Sequence, residues 1–411
     1  MDLIYKISIP ILILLSVDCH HGAPDIKGKS QVTTIKNDTV VEDVITGADQ
    51  TEAYLPLLLG KRVALVANQT SICGNKHLVD TLVKLGIDVA YVFCPEHGFR
   101  GTAGAGDIVG NSTDTETGLS IVSLYGKNKK PQQQYMQNID IVVFDLQDVG
   151  VRFYTYISTL HYVMLACAEN NIPLIVLDRP NPNAHYIDGP VLDTACSSFI
   201  GMHPVPIVYG MTIGEYAKMI NGEKWINTPE PCALTVIPCK NYTHNTPYYL
   251  PIPPSPNLPN DRSIQLYPTL CLFEGTCLSV GRGTEMQFQV IGHPLLKSWD
   301  KTTFRFTPKP NAGAAKPVLE NQECFGFDFR NSLSPFEEGN SRLNISLLVE
   351  VWNNFPDKTK FFNKSFVLLA GTKKLQQQIE SGMQEDEIRA SWQEGIEEFK
   401  KIRHKYTIYH D

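Results

Sequence analysis

Four short apolar runs, Arg62–Ala67, Val89–Cys94, Ile139–Phe144 and Pro173–Leu177, each stop abruptly at a polar or charged residue. Segments of helical spacing lie between them. Leu78, Val79, Leu82 and Val83 share a face ahead of Gly86, and Ile157, Leu160, Met164 and Cys167 share another from about Tyr156 onward. Recurrence at three and four residues marks a helix, and a short β-branched, apolar run marks a buried strand. Strands alternating with helices predict an α/β fold with a parallel sheet and right-handed crossovers. Strands that are apolar throughout predict helices over both faces of that sheet.

In such sheets, ligands bind beyond the carboxyl ends of the strands. All four ends are polar here. Asn68 follows the first; Glu96, His97 and Arg100 follow the second; Asp145, Gln147 and Asp148 close the third; Asp178, Arg179 and Asn181 close the fourth. The stretch 91–106 is the strongest of these signals. Its four glycines and one proline end the strand in an irregular loop that carries a carboxylate, an imidazole and a guanidinium. Taken singly, each polar end reads as a cap or a turn former; four on one rim mark a site. A dinucleotide cofactor is not expected. After the first strand the chain reads Asn68-Gln-Thr-Ser-Ile-Cys-Gly74, without G-x-G-x-x-G or a Walker lysine, and Gly101, Gly104 and Gly106 open no helix.

With 411 residues, 43% hydrophobic and 19% charged, the chain is globular and long enough for roughly two or three domains. A net charge of −7 without any basic block argues against nucleic acid, because phosphate binding needs clustered Lys and Arg. Lys6 and the apolar run Ile7–Val17 predict an export signal over residues 1–22, too short to span a bilayer as a mature helix. Cys19 stands where a lipoprotein carries its lipid, although Ser16, Val17 and Asp18 make a poor lipobox. A lipid anchor there is the only membrane link expected, for a protein that is periplasmic or membrane-anchored. Residues 23–57 are polar and read as a tether. Cys94, Cys167 and Cys271 lie in apolar stretches and read as core, whereas Cys232 and Cys239 could pair across a hairpin. No Cys-x-x-Cys pair is present to suggest a zinc ribbon.

The second half differs in texture. Thr212-Ile-Gly-Glu215 is a capping box, which assigns Glu215 to helix structure. Residues 249–268 are rich in proline and read as an extended crossing between domains, in which Ser255 and Asn257 either line a cleft or close turns. Glu274 follows three apolar residues and reads as another strand end. Arg282 lies between two glycines, where backbone can approach a ligand closely. An alternating strand is expected over Gln287–Ile291. Ile388, Trp392, Ile396, Phe399 and Ile402 or Arg403 trace the core face of one long C-terminal helix.

Several stretches match one family in order: Pro95-Glu-His-Gly-Phe-Arg-Gly101, Phe144 to Tyr156, Leu177-Asp-Arg-Pro-Asn-Pro182, Pro254-Ser-Pro-Asn257, Phe273-Glu-Gly-Thr276, Gly281-Arg-Gly-Thr284, Ile388 to Trp392 and Phe399 to Tyr409. Over roughly residues 58–411 the chain resembles the NamZ-type exo-β-N-acetylmuramidases, glycosidases of bacterial peptidoglycan recycling, in wording closest to the Bacteroidetes branch. The resemblance implies a Rossmann-like domain over 58–262, a smaller α+β domain over 263–411 and an active cleft between them. It also implies release of β-1,4-linked N-acetylmuramic acid from the non-reducing end of peptidoglycan-derived glycans. Tyr209, before Gly-Met-Thr, stands where the family commonly has His.

Glycosidic hydrolysis commonly uses two carboxylates. Glu96 is expected as the general acid, with Glu274 ranked first and Asp145 second as its partner; the acetamido group of the sugar is an alternative nucleophile. Arg152, Arg179 and Arg282 are candidates for the lactyl carboxylate, because a guanidinium suits a planar carboxylate. Tyr154 and Tyr156 either stack on sugar faces or belong to the core. Asn68, His97, Arg100, Asp148, Asp178, Asn181, Ser255 and Asn257 complete the expected sugar-binding set. No metal or cofactor is expected. Two other classes stay open. One is a metal-dependent hydrolase of another cell-wall ester or amide, built on Glu96, His97, Asp145, Asp148 and Asp178. The other is a non-catalytic cell-wall-binding lipoprotein.

Overall fold

The expected parallel sheet is the centre of the molecule, seen in a computed structural model that describes residues 43–96, 98–100, 111–331 and 342–411. The expected export signal, Cys19, the part of the expected tether up to residue 42, and His97 lie outside the described residues. After α1 (Thr51–Leu58), β1 (Arg62–Ala67) leads through a short ribbon, β2 (Ile72–Cys73) and β3 (Lys76–His77), into α2 (Leu78–Lys84) and β4 (Asp88–Cys94). Then come β5 (Ser112–Thr113), β6 (Ser120–Ser123), α3 (Gln133–Met136), β7 (Ile141–Asp145), α4 (Tyr156–Glu169), β8 (Leu174–Leu177), α5 (Ile213–Gly222) and β9 (Leu234–Ile237). The sheet order is β5–β6–β4–β1–β7–β8–β9, parallel except for the edge strand β5. This is a Rossmann-like α/β domain. From β1 the chain moves on to β4 on one side, and from β7 it moves to β8 on the other. The switch point of the sheet therefore lies between β1 and β7, which pair from Val63 with Ile141 to Ala67 with Asp145.

The smaller C-terminal lobe begins with α6 (Asp261–Leu270) and a 3-10 turn, Cys271–Gly275. It continues in an antiparallel sheet of β10 (Val290–His293), β11 (Phe304–Phe306) and β12 (Cys324–Asp328), with β12 in the middle. Helices over Ile345–Asn354, Ser365–Ala370, Lys374–Glu380, Glu385–Ala390 and Gln393–His404 follow. One hydrophobic core runs from the sheet, through Phe93, Phe144 and Leu160, into Phe273, Phe366 and Trp392 of the second lobe. Ala48, Tyr54, Leu58 and the buried face of α2 cover the other side of the sheet. No helix among the described residues is long and apolar enough to cross a membrane.

Several expectations are corrected. Residues 43–57 are not tether, because Ile45 bridges to Lys240 and Tyr54 and Leu58, one helical turn apart, are both buried against the sheet. The proline-rich crossing ends at Asn260, whose side chain caps α6 by accepting from Ser263 N; Pro268 then sits inside the helix. Glu274 lies on the 3-10 turn that prolongs α6, not at a strand end. The alternating strand starts at Val290, since Phe288 has a φ of 51° that breaks an extended run. The C-terminal helix is two helices. The chain leaves the first at Ser391 and restarts after Trp392, yet Ile388, Trp392, Ile396 and Phe399 all stay buried. Cys232 and Cys239 are both free thiols.

Candidate active site

A cavity of about 760 Å³ lies between the two lobes. From the sheet lobe it is lined by Glu96, just past β4, and by Phe153, Tyr154, Thr155 and Tyr156, where the chain turns from β7 into α4. The C-terminal lobe contributes Glu274, Arg282, the segment 313–318 and, from the helix Ser365–Ala370, Ser365 and Leu369. Ser255 and Asn257 of the proline-rich crossing close one side.

The two carboxylates are held differently. Thr155 Oγ1 donates to Glu96 Oε2 at 3.4 Å. Tyr125, two residues beyond β6, also reaches Glu96; burial first, and the Glu96 carboxylate second, push the Tyr125 phenol up to about 12. Glu274 is clamped by Arg282, Nη1 to Oε1 at 2.7 Å, with the Cys271 thiol 3.5 Å from its other oxygen. Gly281 and Gly283, both at positive φ, turn the backbone sharply on either side of Arg282.

Tyr154 and Tyr156 form part of the wall, with rings 4.7 Å apart and edge to face. Both hydroxyls donate to Pro254 O, at 2.9 and 3.3 Å, so these tyrosines also anchor the proline-rich crossing. Asn257 Nδ2 donates to Gly313 O at 2.8 Å and ties that crossing to the 313–318 segment. A tight turn, Leu258 N to Ser255 O, presents Ser255. Both readings weighed for this pair therefore hold: they line the cavity and close turns.

The other expected residues that are described, all outside the cavity lining, are held by the protein's own groups. Asp145 is fully buried, and Arg179 grips both its oxygens at 2.6 and 2.9 Å while also donating to Ile72 O. Asp178 accepts from Arg179 N, Thr212 Oγ1, Gly214 N and Tyr409 OH. Asp148 accepts from Gly150 N at 2.8 Å and from the Tyr209 hydroxyl. Burial pushes its carboxyl up to about 6 against the pull of those donors. Tyr209 is thus buried on Asp148 and does not line the cavity. Asn181 donates to Met211 O and packs on Gly150, where a Cβ would come within 2.2 Å of its side chain. Asn68 closes the turn after β1 through Thr70 and donates to Tyr156 OH at 2.7 Å, supporting the wall from behind. Arg100 turns to Asp114, Asp80 and Glu116. Arg152 is fully buried, its Nη atoms donating to the carbonyls of Pro190, Val205, Leu369 and Ala370. Burial without an acidic partner lowers its pKa to about 9, still charged at neutral pH.

Among the described residues, no three His, Cys, Asp or Glu side chains are grouped to hold a metal ion. Asp145, Asp148 and Asp178 instead point at protein donors, which removes the described part of the metal-hydrolase cluster. Tyr125 and Thr155 were missed in the sequence. The strand-end rule could have found Tyr125, but β6 is only four residues long and has a serine at each end.

Comparison with known proteins gives one consistent answer. The model of the N-terminal domain of exo-β-N-acetylmuramidase NamZ matches residues 63–262, and that of its C-terminal domain matches residues 265–409. The peptidoglycan β-N-acetylmuramidase NamZ of Bacillus subtilis (strain 168) is 37% identical over 380 residues, spanning 87% of this chain and 89% of the relative. Two crystal structures of DUF1343 family proteins from Bacteroides fragilis are similar throughout. One is 47% identical with a TM-score of 0.83, over 90% of this chain and 100% of the other. The second is 28% identical with a TM-score of 0.75, over 89% and 99%.

Proposed function

The chain belongs to the NamZ exo-β-N-acetylmuramidase family, and from that premise we propose how its cavity works. The protein is an exo-acting glycoside hydrolase that releases β-1,4-linked N-acetylmuramic acid from the non-reducing end of peptidoglycan fragments. One observation carries the site assignment: a carboxylate from each lobe, Glu96 and Glu274, lines the same cavity.

Glu96 is the general acid that protonates the leaving glycosidic oxygen, with Thr155 and Tyr125 setting its orientation. Glu274 meets the charge that develops on the sugar, either directly or by orienting the substrate's acetamido group as nucleophile. Its Arg282 partner fixes the side chain and suits a group whose task is to be negative. Tyr154, Tyr156, Ser255 and Asn257 shape the sugar site. We also propose a boundary between the domains at 262/263 and export by residues 1–22, to a periplasmic protein or one anchored through Cys19.

The deciding experiment is turnover of a chromogenic β-N-acetylmuramide. Wild type releases the chromophore in the presence of EDTA, and Glu96→Gln loses about 10²–10⁴-fold in kcat, as expected when a general acid is removed, while its circular dichroism is unchanged. Near-normal turnover in Glu96→Gln removes Glu96 from the chemistry. Loss of activity on chelation restores the metal-hydrolase alternative. Radiolabelled fatty acid incorporated by wild type but not by Cys19→Ala tests the anchor.

A further inference from the structure

We propose that Lys316 is the residue that reads the substrate's carboxylate and so sets the preference for the muramyl sugar. This rests on the muramidase reading above. N-acetylmuramic acid is N-acetylglucosamine carrying a 3-O-lactyl ether, and the ether ends in a carboxylate. A site that prefers it needs a positive group free to meet that anion. Three arginines were candidates, and each already has partners within the protein. Arg152 serves four backbone carbonyls, Arg179 is locked on Asp145, and Arg282, which lines the cavity, has its charge offset by Glu274 through Nη1.

Lys316 remains. Among the described residues that line the cavity, it is the one cation without a hydrogen bond or ion pair. Its side chain is exposed, yet the backbone beneath it is fixed at several points. Asn321 N donates to Pro308 O at 2.8 Å and closes the base of the loop. Asn311 Oδ1 accepts from Gly313 N and Ala314 N and forms its tip, and Asn257 Nδ2 ties Gly313 O to the opposite wall. Pro317, the next residue, packs on Gly283, so closely that a Cβ on Gly283 would meet it at 2.7 Å. The result is a long, flexible side chain on a stiff platform beside Arg282. A hydrated ammonium is a point charge with three donors, able to follow a lactyl group that rotates about its ether bond.

The test is calorimetric titration of wild type, Lys316→Ala, Lys316→Glu and Lys316→Arg with free N-acetylmuramic acid and with its uncharged lactyl amide. A charge-assisted contact predicts about a ten-fold weaker Kd for the acid in Lys316→Ala, a greater loss in Lys316→Glu and recovery in Lys316→Arg. Binding of the amide is the same in all four proteins. Equal loss for acid and amide, or loss for neither, overturns the proposal. A muramyl peptide, with its lactyl group consumed in an amide and its carboxylates on the peptide, separates the two sources of negative charge. If only the peptide's affinity falls in Lys316→Ala, the lactyl assignment is wrong. Because binding is read without turnover, a wild type that binds free N-acetylmuramic acid but does not turn over the chromogenic β-N-acetylmuramide refutes the hydrolase reading and leaves this one standing.

Discussion

Tyr409 donates its hydroxyl to Asp178 Oδ2 at 2.6 Å, joining the third residue from the C-terminus to the carboxyl end of β8. The phenol oxygen in turn accepts from Cys239 N at 2.7 Å, and Glu215 accepts from the N–H groups of Ile408 and Tyr409. The tail of the chain is therefore part of the sheet domain. Tyr409→Phe leaves a buried carboxylate short of a donor and a buried N–H without an acceptor. Unfulfilled buried polar groups cost about 1–3 kcal/mol each, so unfolding by urea is expected at clearly lower denaturant, with kcat at low temperature unchanged.

Arg152 presents a sharper case, because its four carbonyl partners come from both lobes and one of them, Leu369, lines the cavity. Lysine has one nitrogen where arginine has a two-pronged fork, so a lysine at this position cannot serve both pairs of carbonyls. Arg152→Lys is expected to lose about 3 kcal/mol or more of stability. A thermal melt that barely moves, together with a raised KM for charged sugar only, would restore Arg152 as a substrate ligand.

The Asp148 carboxyl ties stability to pH. Its value of about 6 in the folded protein stands above the ordinary 3.8, so between those values the folded state holds a proton that the unfolded state has released. The contribution is complete below about pH 4 and fades as the pH rises through 6, on the order of 3 kcal/mol in all. Asp148→Asn cannot titrate. The difference in unfolding free energy between wild type and this variant should therefore shift toward the variant from about pH 4 to about pH 7, and a difference that is flat across that range would contradict it.

Tyr125 reaches the proposed acid without needing to touch the sugar's reacting atoms. Tyr125→Phe should lower kcat several-fold to ten-fold with little change in KM and should move the pH–rate profile, because the hydroxyl positions a proton donor. A variant with an unaltered profile would reduce Tyr125 to packing.

Much of this was legible in the residues. Apolar runs separated by helical spacing determine a parallel α/β sheet, because periodicity and sterics act within a few neighbours. The same local rules put Glu96 at a strand end and Tyr154 and Tyr156 at a helix start. They could not separate Glu96 from Asp145 or Asp178, since all three follow apolar strands in the same way. What distinguishes them comes from far along the chain. Arg179 covers Asp145, and Asp178 is covered by Thr212, Gly214 and Tyr409. Helix and strand formation depend on near neighbours, so the sequence alone determined where these four sheet strands end. Whether a polar end faces a cavity or the protein's own donors depends on which distant segment packs over it, and only the tertiary structure decided that.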